Sequence, residues 1–334
     1  MPTPDETVAE RVKSYLTRAG LKEFSTQELP GDASTRTYVR ITNDTGSSRM
    51  LLVHQAPFDP DVLPFLNVAT LLRHMGVRVP AVIRCEGDLG IVELQDLGDA
   101  TLQTFLEEAT PSERTACYVE AVATIDRMQQ RGRDLASKEY VPFGLAFDVE
   151  KLTWELEFFT DHFLIAARRA PVTADERAAL REEFLVLSTE IAAEPRVLCH
   201  RDYHSRNLMR CDGHLYVIDF QDARMGPDTY DLVSLLRDCY VDHPASFVDQ
   251  MIDEYLHLTS PADPADFRRR FDVMSVQRHL KALGTFGYQA AVVESSRYRD
   301  DVPRTLNYLR QVFDAHPRFD RLRSLLAVHV PELE

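Results

Sequence analysis

The sequence predicts an α+β protein with two lobes, a small N-lobe built on an antiparallel β-sheet and a larger, mainly helical C-lobe. Short apolar–polar alternations recur through the first hundred residues, whereas helical periodicity dominates from Leu102 onward. A polar loop and a predicted hairpin interrupt the helices at 197–219. We place the boundary so that the lobes span 1–96 and 97–334.

The N-lobe begins with a helix, because apolar residues repeat at helical spacing from Val8 to Ala19 and Gly20 ends the pattern. Alternating apolar residues then predict strands, and the turn at 43–46 joins the first two of them. The remaining predicted elements are strands at 37–41 and 49–53, a helix at 63–75, strands at 81–84 and 91–94, and a hinge at 95–98.

The polar loop at 200–207 lies between predicted strands. Leu198 and Cys199 end the strand before it, and Asp212-Gly213 is typical of a hairpin turn. The returning strand at 215–218 leads to Asp219. We therefore expect the two polar ends of this unit to lie close in space.

The residue types in this unit suit phosphoryl transfer. Asp202 is followed five residues later by Asn207, and Asp219 comes directly after the apolar run. One carboxylate can accept the proton of an attacking hydroxyl, while an amide oxygen and a second carboxylate can hold Mg²⁺ against nucleotide phosphates. Such a protein contributes mainly positioning and charge neutralisation.

The pattern His200, Asp202, Asn207, followed by Ile218-Asp219 and Asp222, resembles the aminoglycoside-phosphotransferase and choline-kinase-like family. Within that family the chain is most similar to the bacterial anomeric kinases of N-acetylmuramate and N-acetylglucosamine. The resemblance implies a two-lobed protein-kinase-like fold. The segments that carry it span roughly residues 31 to 310: 31–36, 200–209, 218–223 with 226–227 and 229–238, and 277–284 with 301–304.

The resemblance implies an ATP-dependent kinase that phosphorylates the C1 hydroxyl of N-acetylmuramate or N-acetylglucosamine in cell-wall recycling. Asp202 is the expected proton acceptor, and ATP and Mg²⁺ are the expected cofactors. The expected metal ligands are Asn207, Asp219 and Asp222; the nucleotide-binding residues are Gly31, Ser34, Thr35, Arg36, His54, Glu93, Gln95 and Leu97; the substrate-binding residues are His204, Arg237, Asp238, Arg278 and His279; and the structural residues are His200 and Asp231.

Three of these roles keep an alternative. Asp222 is either a metal ligand or a neighbour of one. Asp231 either caps the helix that it begins or ties down the loop at 200–207. Arg278 and His279, together with Lys281, form either a solvated face or a positive surface for a sugar carboxylate or the transferred phosphate.

The predicted third strand departs from the usual kinase pattern, which places a phosphate-binding lysine there. This strand reads Leu51-Leu-Val-His54, with no lysine nearby. Either Arg36 supplies the charge or the chain is a pseudokinase that binds a nucleotide or sugar without turnover. A kinase of another small alcohol, such as an aminoglycoside, a choline-like amine or another hexose, is the other alternative.

Composition limits the partners. The chain has 334 residues and a net charge of −15, a field that repels nucleic acid and anionic membranes. Its apolar fraction of 44% is that of a globular protein, and no apolar run is long enough to span a bilayer. Five scattered cysteines indicate reduced thiols, and no export signal is visible. We therefore expect a cytoplasmic protein that binds neither nucleic acid nor membranes. The resemblance implies a small sugar as its partner and no obligate protein partner.

Overall fold

The computed structural model describes residues 7–21, 23–29 and 36–334. Its contacts divide the chain into two compact units. The first unit comprises Met1–Ala100 and Met209–Gln221, and the second comprises Thr101–Leu208 and Asp222–Glu334. The lobe boundary after residue 96 stays a prediction.

The first unit contains a five-stranded antiparallel sheet, as the sequence predicts. Its strands lie in the order β1-β2-β3-β5-β4. Sequence analysis missed β1, because four of its six residues are exposed and it therefore lacks a buried apolar face. The strands are β1 (Phe24–Leu29), β2 (Thr37–Asn43), β3 (Ser48–Val53), β4 (Val82–Glu86) and β5 (Ile91–Gln95).

Two helices accompany this sheet, α1 (Val8–Arg18) and α2 (Pro64–His74), and both were predicted. Helix α1 begins with a capping box between Thr7 and Glu10 and is followed by Gly20 in the left-handed region. Its apolar face packs in the core cluster formed with β2, β3 and β5.

The predicted hairpin is confirmed. Strands β7 (Leu208–Cys211) and β8 (His214–Val217) form a two-stranded sheet. Asp212 and Gly213 both have positive φ, 50° and 79°, which matches the twist of a two-residue hairpin turn. Val217 N donates to the carbonyl of Arg78 over 2.8 Å, so the hairpin is held within the first unit.

The second unit is mainly helical, with one small antiparallel sheet of β6 (Arg196–Cys199) and β9 (Arg224–Pro227). No helix in the described part of the chain is long and apolar enough to cross a membrane. The helices are α3 (Leu102–Leu106), α4 (Pro111–Asp134), α5 (Val149–Phe159), a π-helix (Thr160–Ala167), α6 (Ala174–Ala192), α7 (Tyr230–Leu236), α8 (Ala245–Thr259), α9 (Pro264–Ala291), α10 (Val302–Ala315) and α11 (Asp320–Ala327).

Helix α9 is the centre of this unit and is buried along most of its length. Two glycines allow it to approach α5 and the π-helix closely. A Cβ at Gly284 would lie 2.9 Å from the Cα of Phe159, and a Cβ at Gly287 would overlap the carbonyl of His162. The backbone contact therefore sets where the other side chains of α9 point.

We expect Gly287→Ala to destabilise the protein, although alanine normally favours a helix. The overlap with His162 is with backbone, which has little room to move, so the loss should be about 2 kcal/mol. Thermal or denaturant unfolding measures it. Gly144→Ala is the matched control, because an added Cβ meets no atom within 4 Å there. Equal stability of the two variants would contradict this account of the helix contact.

His243 is buried in the second unit, and its Nε2 lies 2.7 Å from the hydroxyl of Tyr118. Burial, together with the positive charges of Arg114 and Arg304, lowers the pKa of His243 to about 4. The imidazole is therefore neutral in the folded protein at pH 7. In the unfolded chain it would take up a proton below about pH 6.5.

Because the folded-state pKa is depressed, the contribution of His243 to stability is present above pH 6.5 and is lost as the pH falls toward 4. We expect a loss on the order of 2 kcal/mol between pH 7 and pH 5 from this residue. His243→Gln should flatten that part of the stability–pH curve, while the exposed control His257→Gln should not. Parallel curves for wild type and His243→Gln would contradict the assignment.

Candidate active site

A buried carboxylate, that of Asp231, binds the start of the loop at 200–207. Asp231, at the start of α7, accepts hydrogen bonds from the backbone N–H of His200 over 2.6 Å and of Arg201 over 3.1 Å. These bonds accompany a left-handed backbone at Arg201, with φ 86°, which a side-chain-bearing residue adopts only under constraint. Of the two alternatives for Asp231, capping α7 or tying down the loop at 200–207, these hydrogen bonds agree with the second.

His200 supports the same loop from inside. Its ring is buried, and its Nδ1 lies 3.3 Å from the backbone nitrogen of Asp202. This contact agrees with a bracing role, because it reaches the backbone of Asp202 and leaves the carboxylate to other partners.

The far end of the loop is held in two places. The carboxylate of Asp238 accepts from the backbone N–H of Ser205 over 2.8 Å and of Tyr240 over 2.9 Å. The amide nitrogen of Asn207 donates to the carbonyl of Asp202 over 2.9 Å. The amide oxygen of Asn207 lies on the opposite branch, so it points away from this bond.

The carboxylate of Asp202 is surrounded by cations. The Nζ of Lys281 lies 2.8 Å from Oδ1, Nη2 of Arg278 lies 3.5 Å from the same oxygen, and Nε of Arg201 lies 4.0 Å from Oδ2. Burial by itself raises the pKa of Asp202, but the three cations outweigh it, and the pKa lies well below its ordinary value. Asp202 is therefore ionised at neutral pH and able to accept a proton.

The side chains of Arg278, His279 and Lys281, which are close in sequence, point in two different directions from helix α9. Arg278 and Lys281 are three residues apart, share a face and meet Asp202. The ring of His279 turns elsewhere, with Nδ1 2.6 Å from the carbonyl of Ser275 and Nε2 2.9 Å from that of Arg237. Burial lowers the pKa of His279 to about 3. The sequence analysis grouped Lys281 with Arg278 and His279 but did not assign it a substrate-binding role, although its spacing of three residues from Arg278 places both on one face.

The other predicted substrate-binding residues lie around the loop. Nη2 of Arg237 pairs with Asp272 at 2.6 Å. Burial lowers the pKa of His204 to about 3, which keeps its ring neutral. Both residues border a cavity of about 20 Å³, enough for one water molecule. The cavity is also lined by Ser234, Asp238, Tyr240 and Arg278.

Asp219 follows β8 in the left-handed region, with φ 59°. Its Oδ1 lies 3.2 Å from Nη2 of Arg36 and 3.0 Å from Nε2 of Gln221. Asp222 belongs to the second unit, where Nη1 of Arg201 lies 3.3 Å from its carboxylate. Each predicted carboxylate ligand thus already faces a cationic group.

The donor set suits magnesium. Carboxylate and amide oxygens are the hard ligands that Mg²⁺ prefers, and in nucleotide sites it takes one or two carboxylates and completes its shell with phosphates and water. No cluster of three or more His, Cys, Asp or Glu residues suited to a metal occurs within 7–21, 23–29 and 36–334. A magnesium site with few protein ligands fits this pattern, and the amide oxygen of Asn207 and the carboxylate of Asp219 are each a ligand of the right type.

Of the predicted phosphate loop, Gly31, Ser34 and Thr35 lie outside the described residues, and Arg36 lies inside them. His54 directly follows β3, at the position where a kinase lysine was expected. Burial, together with the positive charges of Arg36 and Arg11, lowers the pKa of His54 to about 4. His54 is therefore neutral at pH 7 and does not replace the lysine charge.

The predicted hinge begins inside the sheet. The carboxylate of Glu93 is buried and accepts hydrogen bonds from Tyr15 and, over 2.6 Å, from Arg49. Strands β3 and β4 both pair with β5 at Glu93, whereas Leu97 lies beyond the end of that strand. Gln95 N donates to the carbonyl of Ala81 over 2.8 Å. The backbone near Leu97 therefore lies outside the strand pairing of the sheet.

Comparison with solved structures identifies the fold. An ADP-bound aminoglycoside phosphotransferase, APH(2'')-Ib, superposes with a TM-score of 0.59 at 14% identity, covering 90% of this chain and 98% of that chain. Choline kinase from Cryptosporidium parvum gives a TM-score of 0.61 at 11% identity, covering 94% and 98%. These likenesses confirm the predicted protein-kinase-like fold class.

Sequence relatives point to the same group. A protein of Neisseria meningitidis named N-acetylmuramate/N-acetylglucosamine kinase is 33% identical over 94% of this chain and 93% of its own length. A protein of the same name from Pseudomonas aeruginosa is 34% identical, covering 89% and 86%. The model of the family described as "Phosphotransferase enzyme family" matches residues 25–270. The chain therefore belongs to the phosphotransferase enzyme family.

Proposed function

We propose that this protein is an ATP-dependent kinase that phosphorylates the C1 hydroxyl of N-acetylmuramate, N-acetylglucosamine or both. The two curated relatives carry that name and are similar over nearly their whole length. In a bacterial cytoplasm the sugar 1-phosphate would enter the synthesis of nucleotide-activated amino sugars from recycled wall fragments.

The observation that carries the proposal is the ionised carboxylate of Asp202 on its braced loop. A general base must be deprotonated and must reach the hydroxyl proton that it accepts. The cations around Asp202 keep it ionised, and a quarter of its side-chain surface remains exposed. Asp202 would take the proton of the C1 hydroxyl as the sugar oxygen attacks the γ-phosphorus.

The remaining roles follow from chemistry. Asn207 and Asp219 would hold Mg²⁺, and Asp222, three residues after Asp219, would be either a further ligand or a neighbour of one. When bound, the ion neutralises the phosphate oxygens and orients them for in-line attack. The loop at 31–36 would contact the phosphates, with Arg36 as its cation, and the backbone between Glu93 and Leu97 would contact adenine.

The local charge supports an anionic or neutral acceptor over a cationic one. The chain as a whole carries −15, which would attract a cation such as an aminoglycoside or choline. Around Asp202, however, Lys281, Arg278 and Arg201 all lie within 4.0 Å of the carboxylate. Arg201 is shared with Asp222 and Glu155. Lys281 and Arg278 therefore provide the local excess of positive charge at Asp202, which suits the lactyl carboxylate of N-acetylmuramate.

A phosphorylation assay tests the proposal. With ATP and Mg²⁺, we expect turnover of N-acetylmuramate and N-acetylglucosamine, with phosphorus-coupled NMR placing the new phosphate on C1. Asp202→Ala should lower kcat by about a thousandfold or more, because it removes both the base and the partner of the cations. Unsubstituted hexoses, choline and an aminoglycoside complete the panel.

Each other result has a defined meaning. Turnover of an amine-bearing acceptor alone would replace the sugar as substrate and keep the catalytic residue. ATP binding without turnover of any acceptor, detected as a Mg²⁺-dependent rise in Tm, would make the chain a pseudokinase. Phosphate at a position other than C1 would overturn the anomeric assignment.

Asp231→Ala tests whether the braced loop is needed for turnover. The change leaves the backbone N–H groups of His200 and Arg201 without their carboxylate, which should cost about 1–3 kcal/mol of stability. We expect kcat to fall by about tenfold to a hundredfold, with a much smaller change in the KM for ATP, because a small displacement of the base slows the chemical step. Steady-state kinetics beside the exposed control Asp242→Ala measure this, and an unchanged kcat would contradict it.

A further inference from the structure

The ion pair between Lys281 and Asp202 is short and lies at the reactive carboxylate. Nζ and Oδ1 are 2.8 Å apart, and the side chains are 13% and 25% exposed. An ammonium group has three donors, of which Asp202 Oδ1 takes one. The pair is therefore sheltered from water but open to a substrate that reaches Asp202.

A lysine at this point is unusual for this chain. Only five of its 38 Lys and Arg residues are lysines, so arginine forms most of its ion pairs. Among the described lysines, Lys138 is exposed, and Nζ of Lys151 lies 3.8 Å from the carboxylate of Glu155. An ammonium is a compact charge on a flexible stem, whereas a guanidinium has a fixed planar geometry.

Arg278 and Arg201 are anchored by other partners. Nε of Arg278 donates to the hydroxyl of Ser234 over 2.9 Å, and this side chain is almost fully buried. Arg201 also faces Asp222 at 3.3 Å. Their guanidinium groups are thus committed to the loop and to α7, which leaves Lys281 as the cation at Asp202 with the most freedom to change partner.

The geometry of phosphoryl transfer places phosphate oxygens close to Lys281. The acceptor oxygen must lie about 2.6–3.2 Å from Asp202 to lose its proton. The phosphorus must approach that oxygen to about 3–3.5 Å along the line of attack. An ammonium 2.8 Å from the same carboxylate reaches an oxygen of the transferred group when the acceptor approaches Asp202 from the side of Lys281.

We propose that Lys281 is a catalytic residue whose ammonium group first holds the Asp202 carboxylate and then binds an oxygen of the phosphoryl group during its transfer. This inference rests on the proposed kinase function and adds a residue to its machinery. It also supplies, from α9, a cation that the third strand lacks and that His54 does not provide.

The step balances without a further reactant. The O–H bond of the acceptor breaks and its proton passes to Asp202, the acceptor oxygen forms a bond to the γ-phosphorus, and the bond from that phosphorus to the bridging oxygen of ATP breaks to release ADP. Lys281 stays protonated throughout. Once Asp202 is neutral its attraction for Lys281 falls, while the phosphoryl oxygens remain anionic, so the ammonium moves toward the product phosphate.

Kinetics of Lys281→Met and Lys281→Arg give the first test, with Lys138→Met as the control at an exposed lysine. We expect Lys281→Met to lower kcat by about a hundredfold or more, with the KM for ATP and for sugar changed by less than about threefold, since the contact forms in the transition state. Lys281→Arg should recover part of the loss because it keeps the charge. A kcat for Lys281→Met within about threefold of wild type would overturn the proposal.

The second test needs no sugar turnover. With ¹⁵N-labelled lysine, the five ammonium groups give a simple NMR spectrum, and the resonance lost in Lys281→Arg belongs to Lys281. We expect this resonance to be visible at neutral pH and to shift when ADP, Mg²⁺ and fluoroaluminate, a mimic of the transferred phosphoryl group, are added. The resonance of Lys138 should not move, and an unmoved Lys281 resonance would refute the phosphate contact.

The two tests separate this inference from the proposed function. Sugar phosphorylation with equal kcat in wild type and Lys281→Met would refute the role of Lys281 and leave the function standing. A shifted Lys281 resonance in a protein that phosphorylates neither N-acetyl sugar would refute the substrate and support the role of Lys281. If Lys281→Met does not fold, the arginine variant and the NMR titration decide the question.

Discussion

The site depends on keeping one carboxylate ionised in a sheltered place. Desolvation favours the neutral acid, and burial alone would raise the pKa of Asp202. Lys281, Arg278 and Arg201 reverse that effect from two different elements, the loop itself and α9. The position of α9, set by glycine contacts with α5 and the π-helix, is therefore part of the chemistry.

Two further buried carboxylates accept hydrogen bonds from the backbone. Asp231 and Asp238 accept hydrogen bonds from N–H groups at opposite ends of the loop that carries Asp202. Burial raises the pKa of each, and the N–H donors partly offset that rise. Three acidic residues within 40 positions thus have different tasks, one to accept a proton and two to hold the loop in a strained conformation at Arg201.

Much of the fold and the centre of the site could be predicted from local patterns. The helix that Gly20 follows, the hairpin turn at Asp212-Gly213 and four strands of the larger sheet all follow from short-range preferences for φ, periodicity and alternation. Strand β1 escaped prediction because it buries little, and β9 because its four residues include a glycine and a proline, and its pairing with β6 comes from distant sequence.

The sequence by itself determined which chemistry the chain carries: an acid, an amide and a second acid at a spacing typical of phosphoryl transfer. Only the tertiary structure decided which cations serve that acid. Arg278, His279 and Lys281 are neighbours in sequence, but the rotation of 100° per residue turns His279 toward the carbonyl of Arg237 and the other two toward Asp202. Which face of α9 meets the loop depends on long-range backbone packing, and no local pattern records it.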